Sequence, residues 1–156
     1  MGIEIERKFL VDEKQWRLLP KPAGVSIKQG YILNTANKTI RIRITGKHAY
    51  ITFKGAASGI SRSEYEYEIP YNDGLKMFDE FVTTSIEKIR YCLIFENKQW
   101  EVDEFLGDNK GLIVAEVELY YEDEEFITPP WITEQVTGLE QYYNASLSAN
   151  PYKNWP

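Results

Sequence analysis

The sequence predicts a β-dominated α+β fold of eight antiparallel strands with a few helices, and three observations carry that prediction. Eight segments alternate apolar and polar side chains with period two, the pattern of a strand with two unlike faces. Short turns rich in Gly, Asn and Asp join most of them, which makes a meander. Aromatic residues form 14% of the chain, with eleven Tyr and four Trp, a share that favours β structure. Nothing in the composition divides the 156 residues, so residues 1–156 are expected to form one domain with a sizeable core.

Ile3 to Leu10 opens the chain as a strand, with Glu4, Glu6 and Lys8 on one face and Ile3, Ile5 and Phe9 on the other. Carboxylates at i and i+2 on a strand stand roughly 7 Å apart, close enough for their tips to converge on one divalent cation, and hard cations take such oxygen ligands. Asp12 is placed as a helix N-cap with Gln15 as its capping-box partner, and Pro20 and Pro22 close that helix. Ile27 to Leu33 forms the second strand and Thr39 to Thr45 the third, in which Arg41 and Arg43 face away from Ile40, Ile42 and Ile44. Gly46-Lys47 turns into a fourth strand, Tyr50 to Lys54. After a Gly55 to Gly59 loop comes Ser61 to Ile69, where Arg62, Glu64, Glu66 and Glu68 share one parity against Tyr65, Tyr67 and Ile69.

Pro70 ends that strand, and Asp73 is placed to cap a helix whose Leu75, Phe78 and Val82 recur at i, i+3 and i+7, a stripe suited to covering the apolar sheet face. Ser85 to Glu96 is the sixth strand, with Lys88 and Arg90 opposed to Ile89, Tyr91, Leu93 and Phe95. Asn97-Lys98 reads as a type I′ turn into Gln99 to Leu106, where Glu101 and Asp103 oppose Trp100 and Val102. Gly107 to Gly111 turns into the eighth strand, Leu112 to Tyr121, with Glu116 and Glu118 against Val117 and Leu119. Pro129-Pro130-Trp131 is expected to open a short helix ended by Gly138, and the residues from Leu139 onward form a polar, aromatic tail without periodicity. Alternation alone leaves open whether the sheet stays flat or closes into a barrel.

The bulk numbers exclude several functions. A net charge of −6 and a pI near 4.9 argue against generic nucleic-acid or anionic-membrane binding, which need a positive exterior. No apolar run approaches the roughly 18 residues of a membrane span, and the N-terminus lacks the apolar core of a signal peptide, so the cytoplasm is the expected compartment. One cysteine, Cys92, excludes a disulfide framework and a Cys-based zinc site. Its apolar surroundings predict a buried, inert thiol, and the lone His48 follows a turn as a surface residue.

Charge signs are sorted by strand: acid on the first, seventh and eighth, base on the third and sixth. Like charges as neighbours destabilise a sheet, so sorting of this kind calls for a ligand that offsets it. A polyphosphate with divalent cations does so from both sides, the cations on the carboxylates and the phosphate oxygens on Arg and Lys. Any one pair alone reads as a solvated strand face, whereas the full set in this order points to a ligand.

The E-x-E-x-K run of Glu4, Glu6 and Lys8 resembles the opening signature of the CYTH family, the triphosphate tunnel metalloenzymes. Gln29-Gly30-Tyr31, Arg41-Ile42-Arg43, Thr52-Phe53-Lys54, Glu64-Tyr65-Glu66-Tyr67-Glu68, Lys88-Ile89-Arg90-Tyr91, Glu101-Val102-Asp103 and Glu116-Val117-Glu118 are similar to that family's successive strand motifs. Val136-Thr137-Gly138 through Ser146-Leu147 resembles its C-terminal segment, at the size of the short bacterial members. The Tyr142 to Ser146 run departs from the commoner small polar cluster there, and no functional role is carried onto it.

The resemblance implies an eight-stranded antiparallel β-barrel, a tunnel charged inside with helices on its apolar outer face. It also implies hydrolysis of a small-molecule triphosphate, inorganic tripolyphosphate or a nucleoside triphosphate, dependent on Mg²⁺ or Mn²⁺. Glu4, Glu6 and Glu118 are then expected to hold metal with Glu116 beside them. Lys8, Arg41, Arg43, Lys54, Lys88 and Arg90 are expected to bind phosphate, with Lys8 also in the catalytic set and Glu66 or Asp103 orienting the attacking water. Class IV type adenylyl cyclase and thiamine triphosphatase are the alternatives within the family, the first needing a base-and-ribose pocket and the second an aromatic clamp. A polyphosphate-binding module without turnover is the alternative outside enzymes; it would dispense with the carboxylates, and both Glu pairs are intact here. A homodimer is compatible with all of these.

Overall fold

The structure, a computed structural model, describes residues 2–156. In chain order the regular elements are β1 (Ile3–Val11), α1 (Glu13–Leu18), β2 (Val25–Asn34), β3 (Thr39–Thr45), β4 (His48–Lys54), β5 (Ser61–Ile69), α2 (Tyr71–Phe81), β6 (Thr84–Phe95), β7 (Lys98–Phe105), β8 (Ile113–Glu118), β9 (Ile132–Gln135) and α3 (Asn144–Ala149). The sheet runs β5-β4-β3-β2-β6-β7-β8-β1, every neighbouring pair antiparallel. It closes because the start of β1 pairs with the start of β5, Ile3 opposite Ser63, Glu4 opposite Arg62 and Ile5 opposite Ser61. The expected eight-stranded barrel is therefore formed. The same edge of β1 takes β9 further along, Phe9 opposite Gln135 and Val11 opposite Ile132.

Period-two alternation now acquires an inside and an outside. The outer face carries the main apolar core, in which Phe9, Trp16, Trp100, Val102, Val117 and Trp131 are buried. Asp12 accepts from the Gln15 amide at 2.8 Å and starts α1 as expected, bringing Trp16 onto Tyr91 and Trp131. Trp16 and Trp100 are both fully buried. Rings of this size contribute roughly 4–6 kcal/mol each on burial, an upper figure. On the far side α2 lies across β2, β3 and β4. Gly74 of that helix fits because a Cβ would sit 2.4 Å from the Ala49 methyl, and Gly30 of β2 leaves room for Val82 and Phe78.

Several boundaries differ from the sequence expectation. Helix α2 starts at Tyr71 behind Pro70, so Asp73 lies in its first turn and caps nothing. The β6–β7 turn is centred on Glu96 and Asn97, whose φ of 47° and 64° make the I′ geometry one residue earlier than expected. The eighth strand ends at Glu118 rather than Tyr121.

The expected helix after Pro129-Pro130-Trp131 is instead β9. Beyond Ile5 no β5 residue pairs with β1, and the backbone edge left there is satisfied by a strand, with Val136 N–H donating to the Lys8 carbonyl at 2.8 Å. The tail is ordered as well: Leu147 of α3 is fully buried against Ile86, Phe105, Leu112 and Val114, inner-face residues that close one end of the barrel with an apolar cluster. No helix among the described residues is long and apolar enough to cross a membrane.

Candidate active site

The inner face gathers the charged side chains, and the register decides which meet. Arg90 stands opposite Asp103 across β6–β7. Its Nε and Nη2 donate to the two Asp103 oxygens at 2.8 and 2.9 Å, its Nη1 donates to Glu101 at 2.9 Å, and Lys88 Nζ donates to Asp103 at 2.8 Å. Lys88 is fully buried and Asp103 is 1% exposed. Burial raises the Asp103 carboxyl, but Arg90 and Lys88 overcome it and bring it down to about 2. Burial pulls Lys88 the other way, to about 7, with Arg90 and Arg43 adding to the fall against Asp103.

A second cluster joins β1 and β8, where Glu6 stands opposite Glu118 and Lys8 opposite Glu116. Burial and the neighbouring Glu116 and Glu4 push Glu6 well above the usual carboxyl range, and it is hydrogen-bonded to Glu116. Glu116, despite its own burial, is held well below by Lys8 at 3.7 Å and by that bond. Glu4 turns instead to Lys54, whose Nζ donates to both its oxygens at 3.0 Å and lies 3.4 Å from Glu64.

The third cluster is on β2 to β5. Glu66 accepts from Thr52 Oγ1 at 2.7 Å and lies 3.5 Å from Arg41 Nη2. Arg43 Nε donates to Gln29 at 3.0 Å, and Gln29 donates on to Tyr31 at 3.1 Å. Burial lowers Arg43 to about 10, with Arg41 and Arg90 adding repulsion. Arg41 is 6% exposed and its Nε has no partner. Buried donors are rarely left that way, and one facing a cavity is a place for an acceptor from outside the chain.

The second and third clusters reach a cavity of about 540 Å³ that opens between the β2–β3 turn, the β4–β5 loop and the tail, with Glu4, Glu6, Lys8, Arg41, Lys54 and Arg62 in its wall. Of the expected site residues, Glu4, Glu6, Lys8, Arg41 and Lys54 line this cavity, whereas Glu116 and Glu66 do not and reach it only through their partners Lys8 and Arg41. Glu118 is exposed at the end of β8 and does not border the cavity. Lys88, Arg90, Arg43 and Asp103 lie behind the wall rather than in it.

Sequence reasoning missed Tyr31, Arg62, Thr137, Tyr143 and Asn144, all in the cavity wall. Tyr31 shares parity with Gln29, and Arg62 with the acidic residues of β5, so periodicity could have found both. The tail residues carried no such signal. The expected buried thiol is also corrected: Cys92 is exposed, because its parity is that of Lys88 and Arg90 and places it opposite Glu101 on the inner face. Burial and Glu101 raise its pKa, which keeps it protonated. His48 is a surface residue as expected, 2.9 Å from Glu68.

The donor chemistry of the acidic wall fits a hard divalent cation. Glu6 and Glu116 offer only carboxylate oxygens, and the mutual repulsion that raises Glu6 is what a cation between them would relieve. Among the described residues no group of three or more acidic, His or Cys side chains stands already gathered as a metal cage. Glu4 is held off by Lys54.

The CYTH domain model matches residues 2–150. A protein of Acetivibrio thermocellus named inorganic triphosphatase is 46% identical over 156 residues, 99% of each chain. One of the same name from Nitrosomonas europaea is 34% identical over 153 residues, 93% of this chain and 96% of that one. A crystal structure of an inorganic triphosphatase superposes with a TM-score of 0.65 at 32% identity, covering 95% of both chains. With a barrel that closes through β1 and β5, a charged inner face and a family match over nearly its full length, the chain belongs to the CYTH domain family.

Proposed function

We propose that this chain hydrolyses a triphosphate inside the barrel, inorganic tripolyphosphate being the substrate, with Mg²⁺ or Mn²⁺ as cofactor. The observation that carries this is Arg41, a buried guanidinium whose Nε lacks a partner in the wall of a cavity that also presents Lys8, Lys54 and Arg62. Guanidinium and ammonium groups so arranged suit a chain of phosphate oxygens. Relatives at 46% and 34% identity bear the name inorganic triphosphatase, and family membership implies a divalent cation. The name that both relatives bear favours the inorganic substrate over nucleotides and thiamine triphosphate.

In this reading Lys8, Arg41 and Lys54 bind phosphate oxygens directly, while Lys88, Arg90 and Arg43 supply positive potential from behind. Glu6 and Glu116, with Glu4 once Lys54 turns to phosphate and Glu118 at the outer end, would hold metal. A bound divalent cation supplies charge neutralisation and a water of lowered pKa. Asp103, saturated by Lys88 and Arg90, fixes those two cations in place. Orienting the attacking water falls to Glu66, whose carboxylate is held by Thr52 with Arg41 beside it. Positioning and charge neutralisation are most of what phosphoryl transfer asks of a protein. The proposed compartment is the cytoplasm.

The test is phosphate release from tripolyphosphate, ATP and thiamine triphosphate with Mg²⁺, with Mn²⁺ and with chelator, and cyclic nucleotide measured alongside. Tripolyphosphate should turn over fastest and only with metal. Binding of tripolyphosphate without phosphate release under any metal would make the protein a binding module, and cyclic AMP from ATP would make it a cyclase.

A further inference from the structure

The tail run that carries no role in sequence sits in the wall of the cavity. Its seat is fixed by Leu147, fully buried, by Thr84 and Ser148, whose hydroxyls lie 2.8 Å apart, and by Asn34 donating to the Ala145 carbonyl at 3.0 Å. So anchored, the run reaches across to two lysines on different strands. Lys8 Nζ donates to the Tyr142 carbonyl at 3.2 Å and stands 5.6 Å from the centre of the Tyr143 ring. Lys88 Nζ donates to Asn144 Oδ1 at 3.0 Å.

Asn144 borders the cavity and Lys88 does not, so the amide stands between the buried ammonium and the space where an anion would lie. A lysine only donates, which fixes the orientation of the amide: Oδ1 faces Lys88 and Nδ2 faces away from it. Among the described residues nothing accepts from that Nδ2, although the cavity wall around it is rich in cations. Polarised by an ammonium on its oxygen, the amide becomes a stronger donor at its nitrogen.

We propose that Asn144 is a substrate-binding residue: its Nδ2 donates to a phosphate oxygen, and its Oδ1 couples that oxygen to the charge of Lys88. The tail thereby completes a phosphate site that the barrel strands leave open on one side. The inference rests on the triphosphate reading given above.

Binding of tripolyphosphate to the full-length protein, measured by calorimetry without metal, tests it in three variants beside wild type. Asn144→Ala should weaken affinity about ten-fold or more, the loss of one hydrogen bond to a charged group. Asn144→Asp keeps the acceptor for Lys88 but removes the donor and adds a negative charge. It should melt at or above Asn144→Ala yet bind tripolyphosphate more weakly still. Ser148→Ala loosens the seat of α3 without touching the amide and should bind within about two-fold of wild type.

A merely structural asparagine predicts the reverse order, with Asp rescuing what Ala loses, and that result would overturn the proposal. Tighter binding by Asn144→Ala would overturn it too, making the amide a shutter over Lys88. If wild type neither binds nor hydrolyses tripolyphosphate, the triphosphate reading fails; if wild type does both and Asn144→Ala matches it, only the role of Asn144 fails.

Discussion

Replacing Asp103 by Asn tests whether the buried cations are held by this carboxylate. The substitution keeps the shape and removes the charge that Lys88 and Arg90 share across three hydrogen bonds of 2.8, 2.8 and 2.9 Å. Two estimates bracket the cost. The carboxyl sits near 2 in the folded protein against an ordinary value of 3.8, a linkage of about 2 kcal/mol. Breaking a buried ion pair by removing one partner costs about 3–5 kcal/mol, because the other charge is stranded.

At about 2–4 °C per kcal/mol for a chain of this size, the melting temperature at pH 7 should fall by roughly 4–20 °C. The sign of the pH dependence is fixed by the depressed value: the Asp103 contribution is present above its ordinary value and lost as pH falls toward 2. The gap between wild type and Asp103→Asn should therefore close between about pH 4 and pH 2. Circular dichroism melts at pH 7, 4 and 3 measure it, and melts with saturating tripolyphosphate should narrow the gap at pH 7, since a polyanion supplies the missing charge. A melting temperature within about 2 °C of wild type at pH 7 would refute the assignment of Asp103 as the anchor of the cation cluster.

Three further outcomes are expected. Glu6→Gln should abolish metal-dependent phosphate release while keeping the melting temperature, because the amide keeps the shape and removes a charge that Glu116 and Glu4 repel; near-wild-type turnover at limiting metal would remove strand β1 from the proposed metal set. Arg41→Ala should raise KM and lower kcat by one to two orders of magnitude with little loss of stability, since Arg41 gives up only a 3.5 Å contact to Glu66; a large melting loss with unchanged kinetic constants would make it a structural ion pair. Binding of tripolyphosphate at pH 8 should take up close to one proton, because Lys88 sits near 7 and is mostly neutral there until a polyanion arrives. Calorimetry in buffers of different ionisation enthalpy reads the uptake, which should vanish at pH 6 and in Lys88→Met.

How far the fold was legible follows from how local each signal is. Strand β3 was read with the boundaries it has, Thr39–Thr45, because its alternation is unbroken and turns flank it. The Arg90 to Asp103 pairing needed the structure, because the β6–β7 turn lies one residue earlier than expected and the register follows the turn. Closure of the barrel is different, since it rests on three residue pairs between β1 and β5 that are some sixty positions apart in the chain. Lys54 meets Glu4 only because of that closure, so no strand-by-strand reading could pair them. Strand β9 was misread for a related reason: four residues carry too little periodicity, and what makes them a strand is an edge of β1 left free by the end of β5. Asn144 is the extreme case, a polar residue in an aperiodic run whose position is set by a leucine three residues on.

The sorted charges were legible, but what the sorting means changes once the register is known. Across strand boundaries Lys8 faces Glu116, Arg41 faces Glu66, Lys54 faces Glu4 and Glu64, and Arg90 faces Glu101 and Asp103. Each of these basic side chains therefore already has at least one carboxylate partner. A wall so paired attracts a multiply charged anion far less than its lysines and arginines alone would suggest, because each phosphate contact must first be taken from a carboxylate. The exchange becomes favourable when the released carboxylates gain a partner of their own. In the proposed reaction a divalent cation would be that partner: Glu4, released as Lys54 binds phosphate, would help hold it. Substrate and metal should accordingly bind with positive coupling, each raising the affinity of the other by the same factor.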